Sequence, residues 1–440
     1  MTRSNLFTGL ISKISARYQL IDTLFSLVGI NIILAGLSFV TTLFIANILG
    51  RELFGDLSYA IAVGGYCFTI AYCGLERTLV RDLVHFPKRF DNYISSSILL
   101  RCLMVTLAFV GIVGLNAFTA EENRLGIAGM VVVFAVGIKA LDLGQVYDAW
   151  NKMKQHAVYF LMERCLYFAC IWLTILFFRA SLSVAVISFF MLGSIAFGFF
   201  LQYRWALPRI KIKANTEALA LAGEMLKKNL WIWSAVLATL SFGGLSKIVL
   251  KHVSGSGELG GYALAWQVVL LGSILITPIG RVGSLRMAKV VQPDVSQARR
   301  IRFLLQYTTL SVLVGTVIGL PAICFPTLIL KLFRPEYVSA AASMRILGIY
   351  VIIVAIGQVG YQYLIAVRKE RVCSLCFFLA GFVSIALYYV LIPRYAGMGA
   401  ALAVLLSHGF GILISLIVVL SDLRYTAQGH TIPRGKKVKK

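Results

Sequence analysis

The chain has 440 residues, 59% of them hydrophobic and 14% charged. That balance excludes a soluble multidomain protein, a disordered chain and a secreted disulfide scaffold. The 42 Lys and Arg against 18 Asp and Glu leave a formal charge of +24, a nucleic-acid signature in a soluble protein but a matter of membrane orientation in a chain this apolar.

In chain order, residues 1–21 place Leu6, Leu10, Ile11 and Ile14 on one helical face and read as an N-terminal interfacial segment. Twelve apolar spans follow, at 22–49, 55–79, 93–118, 125–149, 155–178, 182–203, 229–250, 258–280, 303–330, 338–366, 372–392 and 396–420. Each is long enough at 1.5 Å per residue to cross a hydrocarbon core of about 30 Å. The expected architecture is an all-α integral membrane protein: an N-lobe of six spans (22–205), a cytoplasmic linker (206–228), a C-lobe of six spans (229–421) and a basic cytoplasmic tail (422–440). Pro321 and Pro326 are expected to kink the ninth span.

Two weak internal matches support duplication. Glu52-Leu53-Phe54-Gly55 aligns with Glu258-Leu259-Gly260-Gly261 at an offset of 206, and Gln145 with Gln362 at an offset of 217. Six crossings per half return the chain to the side it started from, so the lobes should be related by a pseudo-two-fold axis along the membrane normal. With the N-terminus inside, 30 of the 42 basic residues fall at cytoplasmic ends and 8 at outer ends, which places both termini in the cytoplasm.

Charges inside spans are costly and call for a partner, a wet cavity or a task. Arg101, Lys139, Asp142, Glu163 and Arg164 lie at similar depth, on the order of 10 to 15 Å from the cytoplasmic side. Two readings are open. The five form a self-neutralising network with Lys139 facing Glu163, or a cation such as Arg101 or Arg164 is left to receive a phosphate; Asp142 and Glu163 are also candidates to bind a coupling ion. All eight cysteines sit in or beside spans, and Cys373 and Cys376 lack the second pair that a metal site needs. There is no Walker A loop, no helical histidine pair and no sizeable outer loop to carry enzyme chemistry. Neither an enzyme nor a metal or other cofactor is expected.

The segments ANILGRELFGDLSYA (46–60), FRPEYVSAAASMRIL (333–347) and IPRYAGMGAALAV (392–404) resemble the polysaccharide-exporter branch of the multidrug/oligosaccharidyl-lipid/polysaccharide superfamily, within it the bacterial flippases of lipid-linked oligosaccharides such as O-antigen units. The resemblance implies a central cleft lined by spans one, two, seven and eight, with a cargo of polyprenyl-diphosphate-linked oligosaccharide crossing the bacterial cytoplasmic membrane by alternating access. It makes Arg77 and Arg281, with Arg101, Lys139 and Arg164, candidate phosphate contacts, and Tyr66 and Trp266 candidate sugar platforms. Other polysaccharide-assembly membrane proteins are conceivable partners. The alternatives are a cation-coupled multidrug antiporter of the same superfamily and a membrane-bound polysaccharide polymerase.

Overall fold

The computed structural model describes residues 3–178, 183–212, 215–291, 295–367 and 369–427. The basic tail with Arg434, Lys436, Lys437, Lys439 and Lys440 lies outside the described residues, as do the side chains of Arg77 and Arg281.

The helices in chain order are α1 (Arg3–Tyr72), α2 (Leu75–His85), α3 (Phe90–Phe118), α4 (Ile127–Ile138), α5 (Gly144–Ala149), α6 (Met153–Phe178), α7 (Val184–Ala206), α8 (Thr216–Leu240), α9 (Ser246–Val290), α10 (Gln297–Cys324), α11 (Pro326–Lys331), α12 (Ala341–Ala366) and α13 (Glu370–Ala427). Nine stretches among the described residues are long and apolar enough to cross a membrane. Three of these bend sharply, at Gly50, Gly255 and Ala396. They run to 44, 55 and 54 residues, about twice the 20 or so that one crossing needs. Each therefore crosses, bends and returns, which makes twelve crossings in two six-helix lobes. Gly50 (φ 74°) and Gly255 (φ 83°) take a left-handed backbone open to glycine. Ala396 (φ 47°) turns without that freedom, next to Pro393.

Three expected spans are broken in their interiors. The second breaks at Cys73 and Gly74 (φ 50° and 65°), so Glu76 and Arg81 belong to a separate helix, α2, with Leu75, Leu79 and Leu83 buried along one face. The fourth is interrupted between α4 and α5, where residues 139–141 form one 3-10 turn and Asp142 is not helical. The ninth ends at Cys324 and restarts as α11 with Pro326 in its first turn, the position where a missing N–H costs least. Helix α8 begins at Thr216, inside the segment expected to link the lobes.

The apolar core is arranged unevenly. One cluster spans both lobes at the end that carries Gly50 and Gly255, joining Ile45, Leu49 and Leu57 to Leu250, Leu259 and Leu347. Toward the opposite end it gives way to two separate clusters. One is built on Leu79, Tyr93, Tyr147 and Met225, the other on Met287, Tyr307, Tyr363 and Cys373. Helix α8 links the two regimes. Its early turns place Ala222 and Met225 in the N-lobe cluster and Trp233 donates to Thr69 O at 3.1 Å, whereas Ala238 abuts Gly381 of α13.

Candidate functional site

The interruption at 139–143 strands backbone groups in the membrane interior, where each must find a partner. Arg101 of α3 supplies three bonds: to Ala140 O (3.2 Å), to Asp142 O (3.0 Å) and to Gln145 Oε1 (3.0 Å). Its guanidinium also lies 5.0 Å from the Tyr72 ring centroid, and the residue is 1% exposed. Tyr203 OH donates to Leu141 O at 2.8 Å, and Leu143 N–H donates to Gln202 Oε1 at 3.1 Å. Asp142 caps the start of α5 by accepting from Gly144 N at 2.7 Å, and it also meets Gln202 Nε2 (2.9 Å) and His156 Nε2 (3.0 Å).

Beside this clamp, Lys139 Nζ donates to Glu163 Oε1 at 2.8 Å. The face of Phe160 is shared by Lys139 (5.3 Å) and Arg164 (5.1 Å). Arg164 Nε is buried without a hydrogen-bond partner, and no acid lies within ion-pair distance of Arg164 among the described residues. The five charges predicted to form a belt thus do meet around one helix break. Arg101, Lys139, Asp142 and Glu163 are engaged with protein groups there, and Arg164 projects from the same cluster with no acid of its own.

Gln145, His156, Gln202, Tyr203 and Tyr72 complete the clamp and were not singled out as site residues from the sequence. The available signal was a set of amide and imidazole side chains at the depth of Arg101, flanked by Gly137 and Gly144. The duplicated half shows no such break, since α12, which carries Gln362, is continuous.

The three family-like segments converge at the Gly50/Gly255 end. Gly55 and Gly260 cross so closely that a methyl on either would lie 1.9 Å from a carbonyl of the other lobe, Ser256 O and Arg51 O respectively. The structural register of the repeat is therefore 205, one residue from the sequence alignment. Around this crossing Arg51 pairs with Glu258, and Arg51 N–H donates to Glu336 Oε1 at 3.0 Å. Lys251 pairs with Asp56 at 2.5 Å, and Ser256 Oγ donates to the same carboxylate at 2.6 Å. Tyr337 OH reaches Ala46 O at 3.0 Å with its ring edge-on to Phe54. Gly397 sits against Ser343 and Glu258.

Between the Gly50/Gly255 crossing and the opposite end, a π-helical turn (Ser241–Leu245) joins α8 to α9. Tyr66 of α1 packs against Gly244 of that turn, where a methyl would come within 3.0 Å of its ring. Trp266 lies on the other side, 3.5 Å from a methyl placed at Gly243, 7% exposed and tilted between Tyr262 and Tyr350. The two aromatic candidates therefore bracket one irregular turn. Lys247 follows in the first turn of α9, about 12 Å along the helix from Gly255. One turn from both Gly244 and Lys251, it shares the helix face that meets the N-lobe. It is half-buried, and no hydrogen bond or ion pair involves it among the described residues. Counting it with the outer loops hid it from the sequence reading.

Comparison with known proteins agrees with this architecture. Residues 20–283 match the model of the family described as polysaccharide biosynthesis protein. The chain is similar to the capsular polysaccharide biosynthesis protein CapF of Staphylococcus aureus, 23% identical over 397 residues that cover 88% of this chain and 95% of the relative. Among solved structures it resembles the lipid II flippase MurJ in an inward closed conformation (TM-score 0.67, 13% identity, 90% of this chain and 88% of that one). It equally resembles an inward-facing multidrug resistance MATE transporter of the MOP superfamily (TM-score 0.67, 11% identity, 93% and 96%). The chain is a multi-pass membrane protein that belongs to the family described as polysaccharide biosynthesis protein.

Proposed function

We propose that this protein moves a polyprenyl-diphosphate-linked oligosaccharide across the bacterial cytoplasmic membrane for surface polysaccharide synthesis, with both termini cytoplasmic and lobes of residues 22–205 and 229–421. The observation that carries the cargo class is that two half-buried cations within spans, Arg164 and Lys247, have neither an acid partner nor a hydrogen bond among the described residues. A lone cation in a membrane protein is expensive unless an anion or water meets it, and a diphosphate head is an anion that enters and leaves. Lys247 lies in the face of α9 toward the N-lobe, and Arg164 sits one turn before Phe168, whose ring packs against Phe44 of α1 at 6.2 Å. Arg77 and Arg281 stand at the cytoplasmic mouth in this reading, and Tyr66 marks the floor of the cleft where a sugar ring would stack.

The uneven core supports an inward-open arrangement: the lobes share apolar packing at the Gly50/Gly255 end and separate toward the other. Rocking about α8 would exchange the open end. The MATE likeness keeps a second reading, a drug antiporter, which the acids Asp142 and Glu163 would serve. Both are already engaged, by His156 and Lys139, and the unmatched groups are positive, which favours an anionic cargo.

Proteoliposomes loaded with a fluorescent polyprenyl-diphosphate glycan test the reading. Wild-type protein should transfer it between leaflets. Arg164→Ala and Lys247→Ala should each slow transfer roughly 10-fold or more, the loss of one charge-assisted contact. Transfer of a cationic dye with no transfer of the glycan would select the antiporter, and lengthening of the glycan would select the polymerase.

A further inference from the structure

The C-lobe contains a cavity of about 150 Å³ between α12 and the two arms of α13, lined by Gln358, Tyr361, Cys373, Phe377, His408 and Ser415 among others. That volume holds several waters. His408 is the imidazole on its wall. One ring face stacks on Phe242 at 4.4 Å and 19°, and Nδ1 lies 3.1 Å from Tyr350 OH. Phe242 is the second residue of the π-helical turn, and the same turn is held by Tyr388 OH donating to Ser241 O (2.8 Å) and by Ser384 Oγ donating to Ser241 Oγ (3.0 Å). On its far side Gly244 meets Tyr66 of the N-lobe. A continuous packed path thus runs from the cavity through His408, Phe242 and the turn to the inter-lobe seam.

We propose that His408 is a proton-binding site of the C-lobe, loaded from water in this cavity, and that its protonation state sets the geometry of the π-helical turn that meets the N-lobe at Tyr66. Among the described residues, each packed element contributes groups that face it. The turn and α8 offer Phe242 and Ser241, α9 offers Trp266 through Tyr350, α12 offers Tyr350, Gln358 and Tyr361, and α13 offers Cys373, Cys376, Phe377 and Ser415. None is an acid, and no charged group acts on His408 among the described residues. Taking up a proton from water makes both ring nitrogens donors. Tyr350 must then accept at Nδ1, and the new charge must be hydrated from the cavity. Neither change is neutral for the stacked Phe242, because a closer water shell and a flat apolar face compete for the same ring. A π-helical turn is the irregular element that shifts at small cost. By linkage, whatever opens the cavity to water favours the proton, and the proton favours the opened arrangement. The inference rests on the two-lobed fold and not on the identity of the cargo.

Amide hydrogen exchange of the purified full chain in lipid nanodiscs tests it without any substrate. After correction for intrinsic rates, peptides covering residues 236–250 should exchange at least 5-fold faster on the acid side of a single transition between about pH 4 and 6.5. In His408→Gln the transition should vanish. In Tyr350→Phe, which keeps the imidazole and removes its partner, the midpoint should move by half a unit or more. A flat wild-type profile overturns the proposal. So does a transition of equal size and midpoint in His408→Gln or, should that variant not fold, an unmoved midpoint in Tyr350→Phe. Failure of glycan transfer with an intact His408-dependent transition would reject the cargo and leave this site standing.

Discussion

Arg101 shows how a charge becomes a structural part. Its two terminal nitrogens replace the hydrogen bonds that α4 and α5 would have made to each other, and a planar fork can serve two carbonyls and an amide at once. Arg101→Ala leaves those acceptors buried without donors and should destabilise the protein by about 3 kcal/mol or more, with Arg101→Lys recovering only part of it. Thermal unfolding in detergent reads this directly. Lys139 and Glu163 are a different case, since the desolvated pair is worth little beyond its own compensation. Lys139→Met alone should lower the unfolding temperature more than the double change Lys139→Met with Glu163→Leu. Sequence depth alone placed these five charges together. Which of them is left over depended on the helix break at residues 139–143, invisible in a hydropathy profile because the segment is apolar on both sides.

At the scale of elements, the molecule is held together by glycines that let backbones touch. Gly55→Ala or Gly260→Ala drives a methyl into a carbonyl 1.9 Å away and should separate α1 from α9, seen as loss of the monodisperse folded species on size exclusion. Gly111→Ala on α3, with nothing within 4 Å, should leave elution and unfolding unchanged. The contrast separates glycines needed for close approach from those that are merely present. The same distinction explains the repeat. Sequence identity aligned the two turns at 206, but backbone φ at Gly50 and Gly255 and the contact of Gly55 with Gly260 align them at 205. Side-chain identity drifts across a symmetric crossing, and the left-handed turn does not.

At the scale of the whole molecule, the Gly50/Gly255 end is a latch of inter-lobe ion pairs around the glycine crossing. Lys251 is largely buried while Asp56 is about half-exposed, so the pairs contribute modestly and can part within a transport cycle. Asp56→Asn combined with Glu258→Gln should raise hydrogen exchange of residues 50–60 and 255–262 about 5-fold, a shift of roughly 1 kcal/mol toward the state open at that end. Unchanged exchange would mean that the apolar core alone keeps it shut. Such a latch suits a fold whose two lobes must separate at one end before they can close at the other.

Composition and periodicity by themselves determined that the chain is a helical membrane protein with twelve crossings, because the hydrophobic length of a span is a local property that a bilayer reads residue by residue. They also marked the depth of the charges. The tertiary structure decided which charges are spent on stranded backbone and which stand alone, that Tyr66 and Trp266 bracket a π-helical turn, and that Lys247 and His408 matter at all. Those outcomes depend on contacts between residues tens to hundreds of positions apart, such as Arg101 with Gln145 or Tyr66 with Gly244. A buried charge or ring takes its role from what faces it across the seam, and that pairing is set by packing in three dimensions.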